Sequence, residues 1–187
     1  MGKKITIDSA TMMNKVFEVI EAKNIFNIPY EKIKIITHPK SYVHAIVEFR
    51  NGLIKMLAHE PDMKIPISNS INDKFFFNKS KKIDLNKLNN LNLKNVNLAQ
   101  FPLVKILKKL PKYNSLYETA IITINDYFVD LFLKQKISYS DMIANIEKFA
   151  NKRDILKYKK LPVKNINQVF FVNKLIILKL TKFIYKA

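Results

Sequence analysis

Hydrophobic and polar positions divide this chain into two textures. Up to about residue 67 they read as one helix followed by short β-rich runs, and from about 101 they repeat at helical spacing. Residues 9–24 read as an amphipathic helix opened by Asp8 or Ser9 and closed before Asn27-Ile28-Pro29. KIKIIT (32–37) is apolar and β-rich and reads as a strand; HPKS (38–41) reads as a loop, because Pro39 keeps His38 out of helical geometry. YVHAIVEF and LIKMLA flank Asn51-Gly52, a strong hairpin signal. HEPDMKIPI (59–67), with Pro61 and Pro66, reads as an ordered loop.

Residues 73–98 are rich in Asn and Lys with scattered apolar positions, and read as a connector in which KIDLNKL could add a short strand. Beyond it, PLVKILKKL stops at Pro111, SLYETAIITINDYFVDLFLKQ (115–135) has the wide apolar coverage of a central buried helix, SYSDMIANIEKFA (138–150) starts on a Ser cap, and residues 165–186 form a long final helix. Four helices with short links indicate a small bundle. The pattern predicts an α+β chain: an α/β part with a β-hairpin sheet (1–72), which the resemblance given below implies is the distal part of a catalytic domain, a connector (73–98) and a C-terminal four-helix bundle (99–187).

On the first helix, at about 100° per residue, Asn14 set to zero places Glu18 near ~40°, Thr11 near ~60° and Lys15 near ~100°. Met12, Met13, Val16, Phe17, Val19 and Ile20 take the opposite side. One face packs and the other presents a hydroxyl, an amide, an ammonium and a carboxylate. With Ser9 expected at the helix N-terminus, such a face suits a phosphate or phosphonate. Glu18 is an oxygen ligand suited to Mg²⁺ or Mn²⁺, but one carboxylate is not a metal site. Equally, Lys15 and Glu18 could be an ordinary i,i+3 surface pair.

Composition narrows the field. The 187 residues include no cysteine, which excludes disulfides and Cys-based zinc sites and fits a reducing, cytoplasmic setting. No run of about 18 uninterrupted apolar residues exists, which argues against a membrane span. The net charge of +18 invites a nucleic-acid reading, yet Arg50 and Arg153 are the only arginines among 33 basic residues. Recognition of base edges and phosphates favours the planar Arg fork. The charge is also uneven, with 10 basic and 7 acidic side chains in residues 1–72 against 23 and 8 in residues 73–187. Gly2 and Gly52 are the only glycines, so a Gly-rich phosphate loop is impossible. His38 and His44 lie near Ser41, but a lone strand histidine such as His44 is commonly packed or solvated; His59 sits in a loop and could go either way.

MGKKITIDSATMMNKVFEVIEA (1–22) closely resembles the catalytic-domain motif of the 1-deoxy-D-xylulose 5-phosphate reductoisomerases, NADPH- and divalent-metal-dependent enzymes of the methylerythritol phosphate route to isoprenoids. The likeness continues through residues 28–67, weakens over 82–107 and is faint over 120–142. It implies that Ser9, Asn14 and Lys15 bind the substrate, chiefly at its phosphate, and that Glu18 ligates Mg²⁺ or Mn²⁺ and meets the substrate's oxygens. It places Gly2 against NADPH, and Met1, His44, Pro61 and Met63 along the pocket. The implied reaction converts 1-deoxy-D-xylulose 5-phosphate to 2-C-methyl-D-erythritol 4-phosphate by a rearrangement followed by hydride transfer. The implied assembly is a cytoplasmic homodimer with neither nucleic-acid nor membrane partners.

The departures are informative. There is no Gly-rich dinucleotide turn, the two acidic metal partners that should precede residue 1 are absent, Val16 replaces a small residue, and Asn125-Asp126 replaces Asn-Glu. The resemblance therefore implies the C-terminal portion of the enzyme, from a truncated or split reading frame, inactive alone and needing the NADPH-binding half in cis or in trans. The rival readings are a non-catalytic basic binding module and an inert remnant.

Overall fold

The computed structural model describes residues 2–71 and 84–184. Met1 and residues 73–83 of the expected connector lie outside the described residues. Two compact units divide the chain, Met1–Ile35 with Asn97–Ala187, and Ile36–Val96.

The first unit is helical. It holds α1 (Lys3–Ala10), α2 (Met13–Phe26), a 3₁₀ turn (Tyr30–Lys32), a 3₁₀ segment (Pro102–Lys109), α5 (Leu116–Leu133), α6 (Tyr139–Ala150), the short α7 (Arg153–Leu156) with a 3₁₀ turn (Lys157–Lys160), and α8 (Ile166–Ile184). The expected central helix is α5. Ser115 and Glu118 close a reciprocal capping box at its start, satisfying N–H groups that would otherwise be orphaned in the core. Its apolar stripe is broad enough to be covered on several sides, so α5 packs on α6, α8 and α1. Tyr117, Ala120, Ile121, Ile124 and Phe128 have no exposed surface. The Phe128 ring lies 5.5 Å from that of Phe149, which meets Phe183 edge-on at 4.9 Å.

Polar side chains also enter this core, and some of them bridge its helices. The Tyr117 hydroxyl donates to the Ala150 carbonyl at 3.0 Å, and Asn173 Nδ2 donates to Thr123 Oγ1 at 2.9 Å, tying α5 to α6 and α8. Burial, then the Glu118 carboxylate, pushes the Tyr117 phenol up to about 12 and the Tyr30 phenol higher still. Toward its C-terminal end α2 is held to the loop before α5 by Lys23, which bonds Asn114.

The second unit carries two small antiparallel sheets. β2 (Val43–Glu48) pairs with β3 (Ile54–Ala58) around the expected turn, where Gly52 adopts φ +83, a conformation that suits Gly. A bulge at Val43/Ala45 gives β2 an extra residue opposite Ala58. β1 (Ile36–Thr37) pairs with β4 (Lys94–Asn95), and α3 (Lys64–Ile71) and α4 (Leu85–Asn89) complete the unit.

Three local expectations need correcting. Of KIKIIT only Ile36–Thr37 is strand, because Tyr30–Lys32 first closes a 3₁₀ turn. The 59–67 loop ends in α3, where Asp62 Oδ1 accepts from the Lys64 N–H and Pro66 falls in the tolerant first turn. KIDLNKL enters helix rather than strand, since Asp84 caps α4 by accepting from the Lys87 N–H.

Candidate functional site

The candidate groups gather where α1 meets α2, and the chain is broken there rather than continuous. Thr11 donates its hydroxyl to the carbonyls of Ile7 and Asp8, and Met12 takes the left-handed conformation (φ 58, ψ 17). That conformation costs a non-glycine residue about 1–2 kcal/mol, and burial of Met12 and Met13 in the core offsets it. Two expectations change as a result. Ser9 stands in the last turn of α1 and not at a helix N-terminus, and Thr11 is buried against backbone instead of sharing the outward face of α2.

The remaining groups lie on α2 as expected. Asn14 is half-buried, and its Oδ1 accepts from the Lys15 N–H at 2.8 Å. Lys15 Nζ reaches both Glu18 oxygens, at 2.9 and 2.7 Å, with the two side chains 44% and 54% exposed. An exposed pair of this kind is worth about 0.2–1 kcal/mol, so a phosphate on Lys15 and a cation on Glu18 can separate it at little cost.

Beneath the junction lies a network that the sequence pattern did not signal. Asp8 is 3% exposed; its Oδ2 takes Lys4 Nζ at 2.8 Å and its Oδ1 accepts from Asn125 Nδ2 of α5 at 2.8 Å. Lys4 also pairs with Asp126 at 2.9 Å. Partial desolvation of Lys4 works against its charge, but the bonds to Asp8 and Asp126 outweigh it and hold the ammonium above its usual value. The signals available in sequence were the i,i+4 spacing of Lys4 and Asp8 and an amide, Asn125, within a helix of wide apolar coverage.

Gly2 is the exposed N-cap of α1, its carbonyl accepting from the Thr6 N–H and hydroxyl. His44, Pro61 and Met63 belong to the Ile36–Val96 unit. There His44 sits at the bulge, stacked on His59 at 3.7 Å, while Pro61 and Met63 are exposed. Met1 lies outside the described residues.

These residues do not by themselves fit a complete metal or dinucleotide site. No cluster of three potential metal ligands occurs among the described residues, whereas a hard cation takes about six oxygen ligands. Two isolated glycines make no pyrophosphate cradle. Glu18 can contribute one ligand.

Comparison with known proteins gives a consistent result. The profile of the DXP reductoisomerase C-terminal domain matches residues 59–176, and a second, described as the 1-deoxy-D-xylulose 5-phosphate reductoisomerase C-terminal domain, matches residues 1–26. The chain is 50% identical over 186 residues to the 1-deoxy-D-xylulose 5-phosphate reductoisomerase of Pelagibacter ubique, covering 97% of this chain and 47% of that protein. It is 38% identical to the enzyme of the same name from Sulfurihydrogenibium sp., over 92% of this chain and 45% of the relative. A crystal structure of DOX-P reductoisomerase with fosmidomycin and magnesium superposes with a TM-score of 0.85 at 28% identity, covering 99% of this chain and 47% of the other. The Zymomonas mobilis reductoisomerase in complex with NADPH gives 0.78 at 29%, covering 96% and 47%. The chain spans about half the length of the curated relatives it matches.

Proposed function

The chain belongs to the 1-deoxy-D-xylulose 5-phosphate reductoisomerase family, and from that premise we propose that its α1–α2 junction holds the substrate phosphate and supplies one metal ligand. The whole reaction is the NADPH- and Mg²⁺- or Mn²⁺-dependent conversion of 1-deoxy-D-xylulose 5-phosphate to 2-C-methyl-D-erythritol 4-phosphate, carried out in the cytoplasm. Hydride donation and the remaining metal ligands belong to the half of the relatives that this chain does not span.

The observation that carries the reading is the Lys15–Glu18 pair on the exposed side of a helix whose other side is packed. With phosphate bound, Lys15 would pair with the dianion in place of Glu18, whose carboxylate would then be free to supply one ligand to a divalent cation. Asn14, with Oδ1 engaged by the backbone, offers its Nδ2 donors, and Ser9 offers a hydroxyl. These groups fix one end of the substrate, so its reacting carbons are held without the entropy loss of a free encounter. With the N-terminal half of the Pelagibacter ubique relative joined to this chain, Lys15→Gln is expected to raise KM for the sugar phosphate about tenfold to hundredfold, with a smaller change in kcat. Steady-state kinetics checks it, and an unchanged KM removes Lys15 from the phosphate site.

Homodimerisation is the partner proposal. The two-stranded β2–β3 sheet exposes Val47, Ile54, Met56 and Leu57, and an isolated hairpin with apolar faces and open edges invites pairing. Sedimentation at micromolar concentration should give a dimer; a monomer throughout would refute it.

A further inference from the structure

Asp8 was expected to cap a helix, yet it is buried in the last turn of α1 immediately before Ser9. Three contacts make it a hinge post. Lys4 holds one carboxylate oxygen, Asn125 of α5 holds the other, and the Asp8 carbonyl accepts from the Thr11 hydroxyl that closes α1. Asn125 is fully buried and its Oδ1 has no partner among the described residues. Turning that amide over would set Oδ1 against the carboxylate, so Asp8 dictates its orientation. From the closed turn, backbone bonds run from the Met12 N–H to the Ser9 carbonyl at 3.1 Å and from the Lys15 N–H to the Met12 carbonyl at 3.1 Å. The clamp thus sets where Ser9 stands relative to Asn14 and Lys15.

We propose that Asp8, locked by Asn125, is a positioning residue for the phosphate-binding groups Ser9, Asn14 and Lys15, tying their geometry to the helical core through α5. The proposal rests on the phosphate reading given above. Three roles for Asp8 differ in the sign of their effect on anion binding. A positioning role weakens phosphate binding when Asp8 is neutralised. A purely electrostatic role strengthens it, because a negative charge is removed, and a merely structural role lowers stability while leaving the affinity of the folded chain unchanged.

The test is a titration of the full chain with inorganic phosphate, followed by the amide resonances of Ser9, Asn14 and Lys15, at a temperature where each variant is folded. Asp8→Asn should weaken the phosphate dissociation constant about tenfold. The exchanged pair, Asp8→Asn with Asn125→Asp, returns one acceptor-only carboxylate to the pair, with the amide at position 8 donating to the carboxylate at position 125, and should return affinity to within about twofold. If Asp8→Asn alone does not fold, Asn125→Ala, which keeps the Lys4–Asp8 pair, should weaken phosphate binding severalfold and decides the matter. Unchanged or tighter binding in the folded variant overturns the positioning role and leaves the phosphate reading standing. Absence of phosphate-induced shifts at these amides in the unaltered chain overturns both.

Discussion

Glu18→Gln should all but abolish turnover in the enzyme completed with the N-terminal half of the Pelagibacter ubique relative, lowering kcat by about a thousandfold or more. The substitution keeps size and hydrogen-bonding capacity while removing the charge that would meet the cation, and metal polarisation is worth several kcal/mol of transition-state stabilisation. Folding should be untouched, because the side chain is 54% exposed and its ion pair among the described residues is with Lys15 on the surface. The comparison therefore needs kcat and the thermal midpoint on the same preparations. A fall in kcat of less than about tenfold with the midpoint unchanged removes Glu18 from the metal role.

Phe128→Ala should cost about 3–5 kcal/mol of stability, a large part of the 5–15 kcal/mol that a domain typically has. Phe128 is fully buried on α5, with its ring tilted against Phe149. Fine relaxation cannot fill the void, since α5 is held on several sides by α6, α8 and α1. Denaturant unfolding of the full chain measures this directly. A loss below about 1 kcal/mol would mean that the core does not centre on α5.

How much of this was legible follows from how local each cause is. α5 could be read from residues 115–135 because its cap, Ser115 with Glu118 three residues later, and its apolar breadth lie within one stretch. The hairpin could be read from Asn51-Gly52, where one residue must take a positive φ. The pairing of Lys15 with Glu18 followed from i,i+3 spacing.

The break between α1 and α2 was not legible. Met12 carries no helix-stopping signal, and its left-handed turn is imposed by burial and by the Thr11 hydroxyl capturing backbone carbonyls. Ile5, Thr6 and Ile7 are β-branched, which disfavours helix, yet packing against α2 and α5 places them in α1. The clamp between Asp8 and Asn125 joins residues 117 apart in sequence, a separation that no periodicity spans. The family resemblance named Ser9, Asn14, Lys15 and Glu18 as a group; the fold adds the buried support beneath them.

The central claim is that this chain supplies the phosphate-holding part of a reductoisomerase active site and depends on the relatives' other half for the rest. Oxidation of NADPH in the presence of 1-deoxy-D-xylulose 5-phosphate and Mg²⁺, followed at 340 nm (roughly the usual reduced-nicotinamide band, a reporter of hydride transfer), tests it directly. The expected result is no oxidation with this chain alone and substrate-dependent oxidation once the N-terminal half of the Pelagibacter ubique relative is joined to it. Turnover by the chain alone, or none from a folded joined protein, would contradict the claim.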